Sequence, residues 1–286
     1  MPDTNPLLAG DGPPLQRSAG TGRVSLMARQ GRNSLTDLYQ EGAARIRLPR
    51  TYDDNLAEVV LINTAGGMTG GDRYRWGVDV AGSGRTLVTT QACEKVYRSS
   101  GGVAEVRTHI SMSGDAALAW LPQETILFDH AALNRAIDVD MGPDATLLMV
   151  EPLIIGRQAM GENVREAWFR DRWRIWSEDG LVHAEDFHLA GDVPTLLNRA
   201  AVCDGDVALA NLLMVGPGVD AFLPALRELP GLAAASTWQV GGFTKLLARL
   251  TAPSGRELRD RLVPGLMMLL DRVPALQTTL PKVWNL

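Results

Sequence analysis

Thr64-Ala65-Gly66-Gly67-Met68-Thr69-Gly70-Gly71-Asp72 opens a stretch that runs to Glu162 and decides how this chain is read. Two more dense blocks follow, Thr89-Thr90-Gln91-Ala92-Cys93-Glu94-Lys95-Val96-Tyr97-Arg98 and Leu121-Pro122-Gln123-Glu124-Thr125-Ile126-Leu127-Phe128-Asp129. A fourth runs from Glu151-Pro152-Leu153-Ile154-Ile155-Gly156-Arg157 to Gly161-Glu162. Each block sets a carboxylate where a plain strand would carry an apolar residue. Side chains two apart on a strand share a face. Glu94 therefore goes with Ala92 and Val96, Glu124 with Pro122, Ile126 and Phe128, and Glu151 with Met149 and Leu153. Three glutamates are expected to point into a sheet interior, where an isolated carboxylate must be paired, neutralised, hydrated or bound to a cation.

Two readings stay open at this point. Lys95, Arg98, Arg157 and Arg165 lie in the same blocks and could pair the acids into a rigid core. With Asp72, Asp129 and Glu162 added, the same acids could line a hydrated path for a cation.

Outward from these blocks the pattern is mainly β. Short apolar or alternating runs recur at Ala43–Leu48, Glu58–Asn63, Arg73–Val80, Thr86–Arg98, Val103–Met112, Ala116–Leu121, Thr125–Phe128, Ile137–Met141, Thr146–Ile155, Trp168–Trp176, Leu181–Leu189 and Val207–Val215. Glycine, proline and aspartate punctuate the gaps. Glu94, Glu124 and Glu151 return at similar intervals, which suits either stacked coils or ordinary hairpins. Helices are expected at Thr195–Ala201, Ala221–Leu229 and, more strongly, Gly255–Asp271, where leucines recur at helical spacing despite Pro264 and Gly265. Residues 1–22 lack apolar periodicity and read as a flexible tail. The remainder, 23–286, reads as one domain.

Composition narrows the function classes. The chain has 286 residues, 45% hydrophobic and 21% charged, with a net charge of −5. The negative charge argues against a nucleic-acid partner, since phosphate binding needs a basic face. Two isolated cysteines, Cys93 and Cys203, imply a reducing compartment. No apolar run suits a signal peptide or a membrane span, so a soluble, cytoplasmic protein is expected. The four histidines form no HxH or HExxH motif, and His130 beside Asp129 is the one adjacent pair to watch. Tight transition-metal sites want clustered imidazole or thiolate, so any divalent binding should be weak and exchangeable. The glycine block lacks the Gly-Lys-Ser/Thr ending of a phosphate loop and reads as a tight turn. There is no Gly-x-Ser-x-Gly elbow. A carboxylate-dependent hydrolase remains an alternative in principle, although an aromatic content of 6% is thin for a sugar cleft. A scaffold that only binds partners is the other.

Taken together and in order, the four blocks resemble the urease accessory protein D family, also called H. The ending Pro281-Lys282-Val283-Trp284 is also similar, and the likeness runs from about Leu26 to the C-terminus. Cys93 and Val96 are small departures inside the second block. The resemblance implies a β-helix-like stack of short strands with a few helices, including a C-terminal one, and no catalysis. It implies a complex with accessory proteins F and G, of which G is the GTPase, docked on apo-urease. No cofactor would be tightly bound, and nickel would be in transit through an internal tunnel. By position, Asp72, Glu94, Glu124, Asp129, Glu151 and Glu162 become candidates for that nickel path. Gly255–Asp271, Pro281–Leu286 and Trp168–Trp176 are the expected partner surfaces.

Overall fold

The structure, a computed structural model, describes residues 16–157, 160–232 and 234–285. It opens on an antiparallel pair, β1 (Ala19–Arg29) and β2 (Arg32–Gly42), followed by β3 (Ala44–Arg47) and β4 (Leu56–Asn63). Strand β1 places Ala19–Gly22 in a sheet, inside the segment expected to be tail; residues 1–15 lie outside the described residues. The chain then winds through β5 (Arg73–Ala81), β6 (Arg85–Thr90), β7 (Glu94–Val96), β8 (Ala104–Ser113), β9 (Ala117–Trp120), β10 (Thr125–Leu127), β11 (Ala132–Met141), β12 (Thr146–Ile155), β13 (Glu166–Ser177) and β14 (Gly180–Asp192). A short helix α1 (Val193–Leu197), β15 (Ala208–Gly216), α2 (Leu223–Arg227), the pair β16 (Ala235–Val240) and β17 (Phe243–Ala252), and α3 (Gly255–Arg272) complete it.

Two sheets result. The first runs β14-β13-β11-β8-β5-β1-β2, and the second runs β16-β17-β15-β12-β9-β6-β4-β3. In the first, β1, β5, β8, β11 and β13 are parallel; in the second, β4, β6, β9 and β12 are parallel. Parallel neighbours cannot be joined by a hairpin, so each coil crosses to the other sheet before returning. Antiparallel strands close both ends of the stack.

Stacking explains the four sequence blocks. Met68 bridges to Val96, Val96 pairs with Leu127, and Leu127 pairs with Ile155, all in parallel register. The blocks are the same corner of successive coils, and these four buried side chains form one apolar file. The recurrence is therefore a coil repeat rather than a run of hairpins. The acids do not form a file of their own. Glu94 stacks on Thr125 and Leu153, so Glu124 falls beside Cys93 and Glu151 lies two positions before Leu153.

The expected strand over Thr86–Arg98 is broken. The chain turns at Gln91-Ala92-Cys93, so Glu94 sits on a separate three-residue strand. Glu124 precedes β10 and belongs to no strand, so its predicted face-sharing with Phe128 does not apply. Strands β16 and β17 fall outside the expected runs, and most of β1 and all of β2 lie in the segment from Arg23 that reads as strand-like without bounded runs. Among them, β2 is exposed along nearly its whole length and carries no alternating apolar pattern to read.

Apolar side chains fill the space between the sheets in two clusters, one around Val78, Ile110 and Trp173 and one around Met68, Leu127 and Phe169. A third lies outside the second sheet, beneath α3. That sheet is covered on both faces, which is why β12 is almost continuously buried whereas β13 alternates. Helix α3 begins at Ser254, whose hydroxyl accepts from the Glu257 backbone N–H at 3.2 Å. Its leucines 258, 262, 266, 269 and 270 are buried, and that stripe outweighs the break at Pro264.

The glycine block is a turn, with positive φ at Gly66 (76°), Gly67 (148°) and Gly71 (91°). Gly70 differs, because a Cβ there would meet Ser99 Oγ at 2.0 Å and the Gly102 carbonyl at 2.4 Å on the next coil. Gly66 has open space around it. Gly70→Ala is expected to lower the denaturation midpoint well beyond Gly66→Ala, whose cost is about 1 kcal/mol of backbone strain. Equal loss in urea melts of the two variants would contradict this packing.

Candidate functional site

A cavity of about 60 Å³ lies between the sheets where the two inner clusters meet. Its lining includes Tyr74, Trp76, Glu94, Trp120, Gln123, Thr125, Arg135 and Glu151. That volume admits a few water molecules. An outer groove lined by Asn63, Gly66, Gln91, Cys93, Lys95 and Ile126 shares Leu61, Trp76, Thr90 and Glu94 with the cavity. Glu94 stands at the junction of the two.

Glu94 has no cationic partner among the described residues; its one side-chain bond is from Asn63 Nδ2 to Oε1, at 3.1 Å. Burial pushes its carboxyl up to about 7, restrained by the Asn63 bond and helped by the negative Asp72. Asn63 is fixed in turn. Tyr74 Oη donates to Asn63 Oδ1 at 2.6 Å and shares a 2.6 Å bond with Ser18 Oγ. Asp72 ends this chain but does not reach the cavity. Its two oxygens accept the backbone N–H groups of Ser18 (2.7 Å) and Thr69 (2.8 Å), so it caps the glycine turn.

Glu151, on β12, is 5% exposed and shares one cation with Asp171. Arg135 Nη1 lies 2.5 Å from Glu151 Oε2, and Arg135 Nε and Nη2 donate to Asp171 at 3.0 and 2.7 Å. Trp120 Nε1 donates to Glu151 Oε1 at 2.7 Å, and Trp173 Nε1 to Asp171 at 3.1 Å. One guanidinium thus serves two buried carboxylates. Burial raises the Glu151 carboxyl, Arg135 opposes the rise, and Asp171 adds to it. Register builds the group, since Arg135 pairs with Asp171 across β11 and β13.

Glu124 is locked. Arg259 of α3 donates to both of its oxygens, at 2.5 and 2.9 Å, and to Gln123 Oε1. Burial works to raise the Glu124 carboxyl, but Arg259 and the backbone N–H hold it below the usual carboxylate range. Cys93 Sγ lies 3.2 Å from Glu124 Oε2, and burial together with that carboxylate pushes the thiol up to about 11. The C-terminal turn closes over this pair. Arg259 Nη1 donates to the Trp284 carbonyl at 3.1 Å, and Trp284 Nε1 donates to the Leu121 carbonyl at 3.0 Å.

Asp129 and Glu162 line a different surface cleft with Tyr97, Arg98, Phe128 and Arg157, sharing no lining residue with the cavity. Asp129 accepts from the backbone N–H groups of Arg165 (2.8 Å) and Glu166 (3.3 Å), with Arg98 and His130 each 3.4 Å away. Glu162 accepts from Arg157 Nε at 2.6 Å.

Of the six predicted acids, the structure brings Glu94 and Glu151 to one cavity and sets the other four outside it. Ion pairing was expected from within the blocks, and Arg98 and Arg157 do pair, with Asp129 and Glu162. The partners of the deep glutamates, Arg135 and Arg259, come from elsewhere, as does Asp171. Trp173 and Trp284 are buried; within the expected surface Pro281–Leu286, Lys282 is exposed and Leu286 lies outside the described residues. Trp176, 41% exposed, does face outward. Among the described residues, no group of three or more His, Cys, Asp and Glu side chains is arranged to hold a metal ion, and no helix is long and apolar enough to cross a membrane.

A stack of β coils around a buried carboxylate–arginine layer, closed by a C-terminal helix, defines the class of fold. Residues 18–285 match the model of the UreD urease accessory protein family, and the chain belongs to that family. It is 48% identical over 273 residues to the urease accessory protein UreD of Rhizobium leguminosarum bv. viciae, covering 95% of this chain and 96% of that one. It is 47% identical over 276 residues to UreD of Mesorhizobium japonicum, with 96% of each covered. UreD of Agrobacterium fabrum is 48% identical over 273 residues, covering 95% of this chain and 92% of its own.

Two outcomes follow from the buried charges. Arg259→Ala leaves Glu124 buried and unpaired and is expected to destabilise by about 3 kcal/mol; Arg259→Ala/Glu124→Gln should recover part of that loss in denaturant melts. Glu94 binds its proton more tightly folded than unfolded, so folding stability should fall as pH rises from about 4.5 through about 7. Glu94→Gln should flatten that fall and stabilise the protein by ~2 kcal/mol at pH 8. Parallel stability–pH curves for the native protein and Glu94→Gln would refute the assignment.

Proposed function

We propose that this protein is a non-catalytic, cytoplasmic urease maturation factor. It acts with accessory proteins F and G, G being the GTPase, and passes nickel to apo-urease by way of the cavity between its sheets. Family membership supports the maturation role. The observation that carries the route is Glu94, an acid without a cationic partner among the described residues, placed where the outer groove meets the cavity.

The chemistry suits transit rather than storage. Nickel favours nitrogen and sulfur ligands, and a cluster of these would trap it. The cavity offers carboxylate and hydroxyl oxygens instead. The nearby thiol, Cys93, is kept protonated by burial and by Glu124, which withholds the strongest nickel ligand in the groove. Asp72 caps a turn and Glu124 is held by Arg259, so the reading rests on Glu94 and Glu151.

A second reading is favoured by the pairs Arg259–Glu124 and Arg135–Glu151, in which acids serve packing alone. Reconstitution separates the two. With partners F and G, apo-urease and nickel, Glu94→Gln and Glu94→Ala should each reduce the activation rate at least tenfold while folding normally. Glu162→Gln, in the surface cleft, should stay within twofold of native. Native-like activation by both Glu94 variants would leave only the packing role.

A further inference from the structure

Arg135 is a fixed positive charge inside the cavity that the proposed route must cross. Its side chain is 9% exposed, and it reaches from β11 in the first sheet to Glu151 on β12 in the second. Cationic side chains in a narrow passage exclude cations electrostatically, most strongly where water is scarce. The guanidinium is also unequally held. Asp171 grips it through two hydrogen bonds, reinforced from behind by Trp173, and Thr125 Oγ1 accepts from Nη1 at 3.0 Å. Glu151 touches only Nη1, through Oε2, while its other oxygen is already committed to Trp120. The contact with Glu151 is the one that can be released while Arg135 stays docked on Asp171.

We propose that Arg135 is the internal plug of the cavity: it occupies the place of a divalent cation at Glu151 and yields that carboxylate only when cargo displaces it. One cation is exchanged for another, so the buried Glu151 is never left without a positive partner. The plug makes the cavity selective for ions that compete with a guanidinium for a carboxylate, and it prevents nickel from settling there. Gln123 lines the same space, and its buried Nε2 has no hydrogen-bond partner. Its amide oxygen is bonded to Arg259, so it adds no ligand that would hold the ion.

This inference rests on the proposed route, and its test separates the two. Arg135→Met/Asp171→Asn removes the plug together with the carboxylate it would orphan. Folded by circular dichroism, this variant should bind Ni²⁺ at least tenfold more tightly than the native chain in equilibrium dialysis. Adding Glu151→Gln should abolish the gain. Trp120 supplies a direct reporter, because its indole N–H donates to Glu151. In the native protein, paramagnetic Ni²⁺ should broaden the Asn63 side-chain amide beside Glu94 at lower concentration than the Trp120 indole; in the unplugged variant the two should broaden together. Unchanged nickel affinity in the folded double variant overturns the plug, as does simultaneous broadening of both signals in the native protein, a measurement that needs no variant to fold. If Glu94→Gln impairs urease activation while the plug tests fail, the route survives without Arg135. If neither Glu94 variant impairs activation, the route itself falls.

Discussion

Parallel pairing is the constraint from which the rest of this structure descends. A strand that must return beside itself in the same direction has to travel away first, and here it travels through the opposite sheet. Each coil therefore contributes to both walls of one interior. Positions a coil apart become neighbours, which is how Met68, Val96, Leu127 and Ile155, distant in sequence, form one apolar file. The same winding carries Arg135 to Asp171 within the first sheet and faces it toward Glu151 on the second.

The interior is not uniformly apolar. Two hydrophobic clusters meet at a polar layer in which Glu94, Glu151, Asp171, Arg135 and Tyr74 are buried or nearly so. Replacing such a layer by well-packed hydrophobic side chains is often neutral or favourable for stability. An interior that keeps an acid with a raised pKa and a guanidinium shared by two carboxylates is thus costly to build, and structural need alone accounts for it poorly. A plain apolar core is absent where groove and cavity join. That is the physical reason for placing the proposed nickel route there rather than in the surface cleft at Asp129 and Glu162, where backbone N–H groups and exposed arginines already satisfy the acids.

The C-terminus does more than end the chain. Arg259 on α3 and Trp284 beyond it close over Gln123 and Glu124, tying the last helix to the third sequence block through a buried charge pair and two main-chain carbonyls. Arg259 holds Glu124 ionised, and burial together with that carboxylate keeps the Cys93 thiol protonated against the opposing charge of Arg259.

The sequence by itself determined the β class, the long C-terminal helix, the turn at the glycine block and the family, because these are local: alternation, leucine spacing, glycine content and word order are written along one stretch of chain. It also marked Glu94 and Glu151 as acids among apolar neighbours. Only the tertiary structure decided which acids are paired and with what. Arg259 lies far along the chain from Glu124, and Asp171 lies a full coil beyond Arg135, so neither partnership leaves a local pattern. Strand β2, exposed and without alternation, and Glu124, outside any strand, escaped periodicity for a related reason: their positions are fixed by neighbours from other coils, and burial or pairing decided by distant residues carries no signature in the residues on either side.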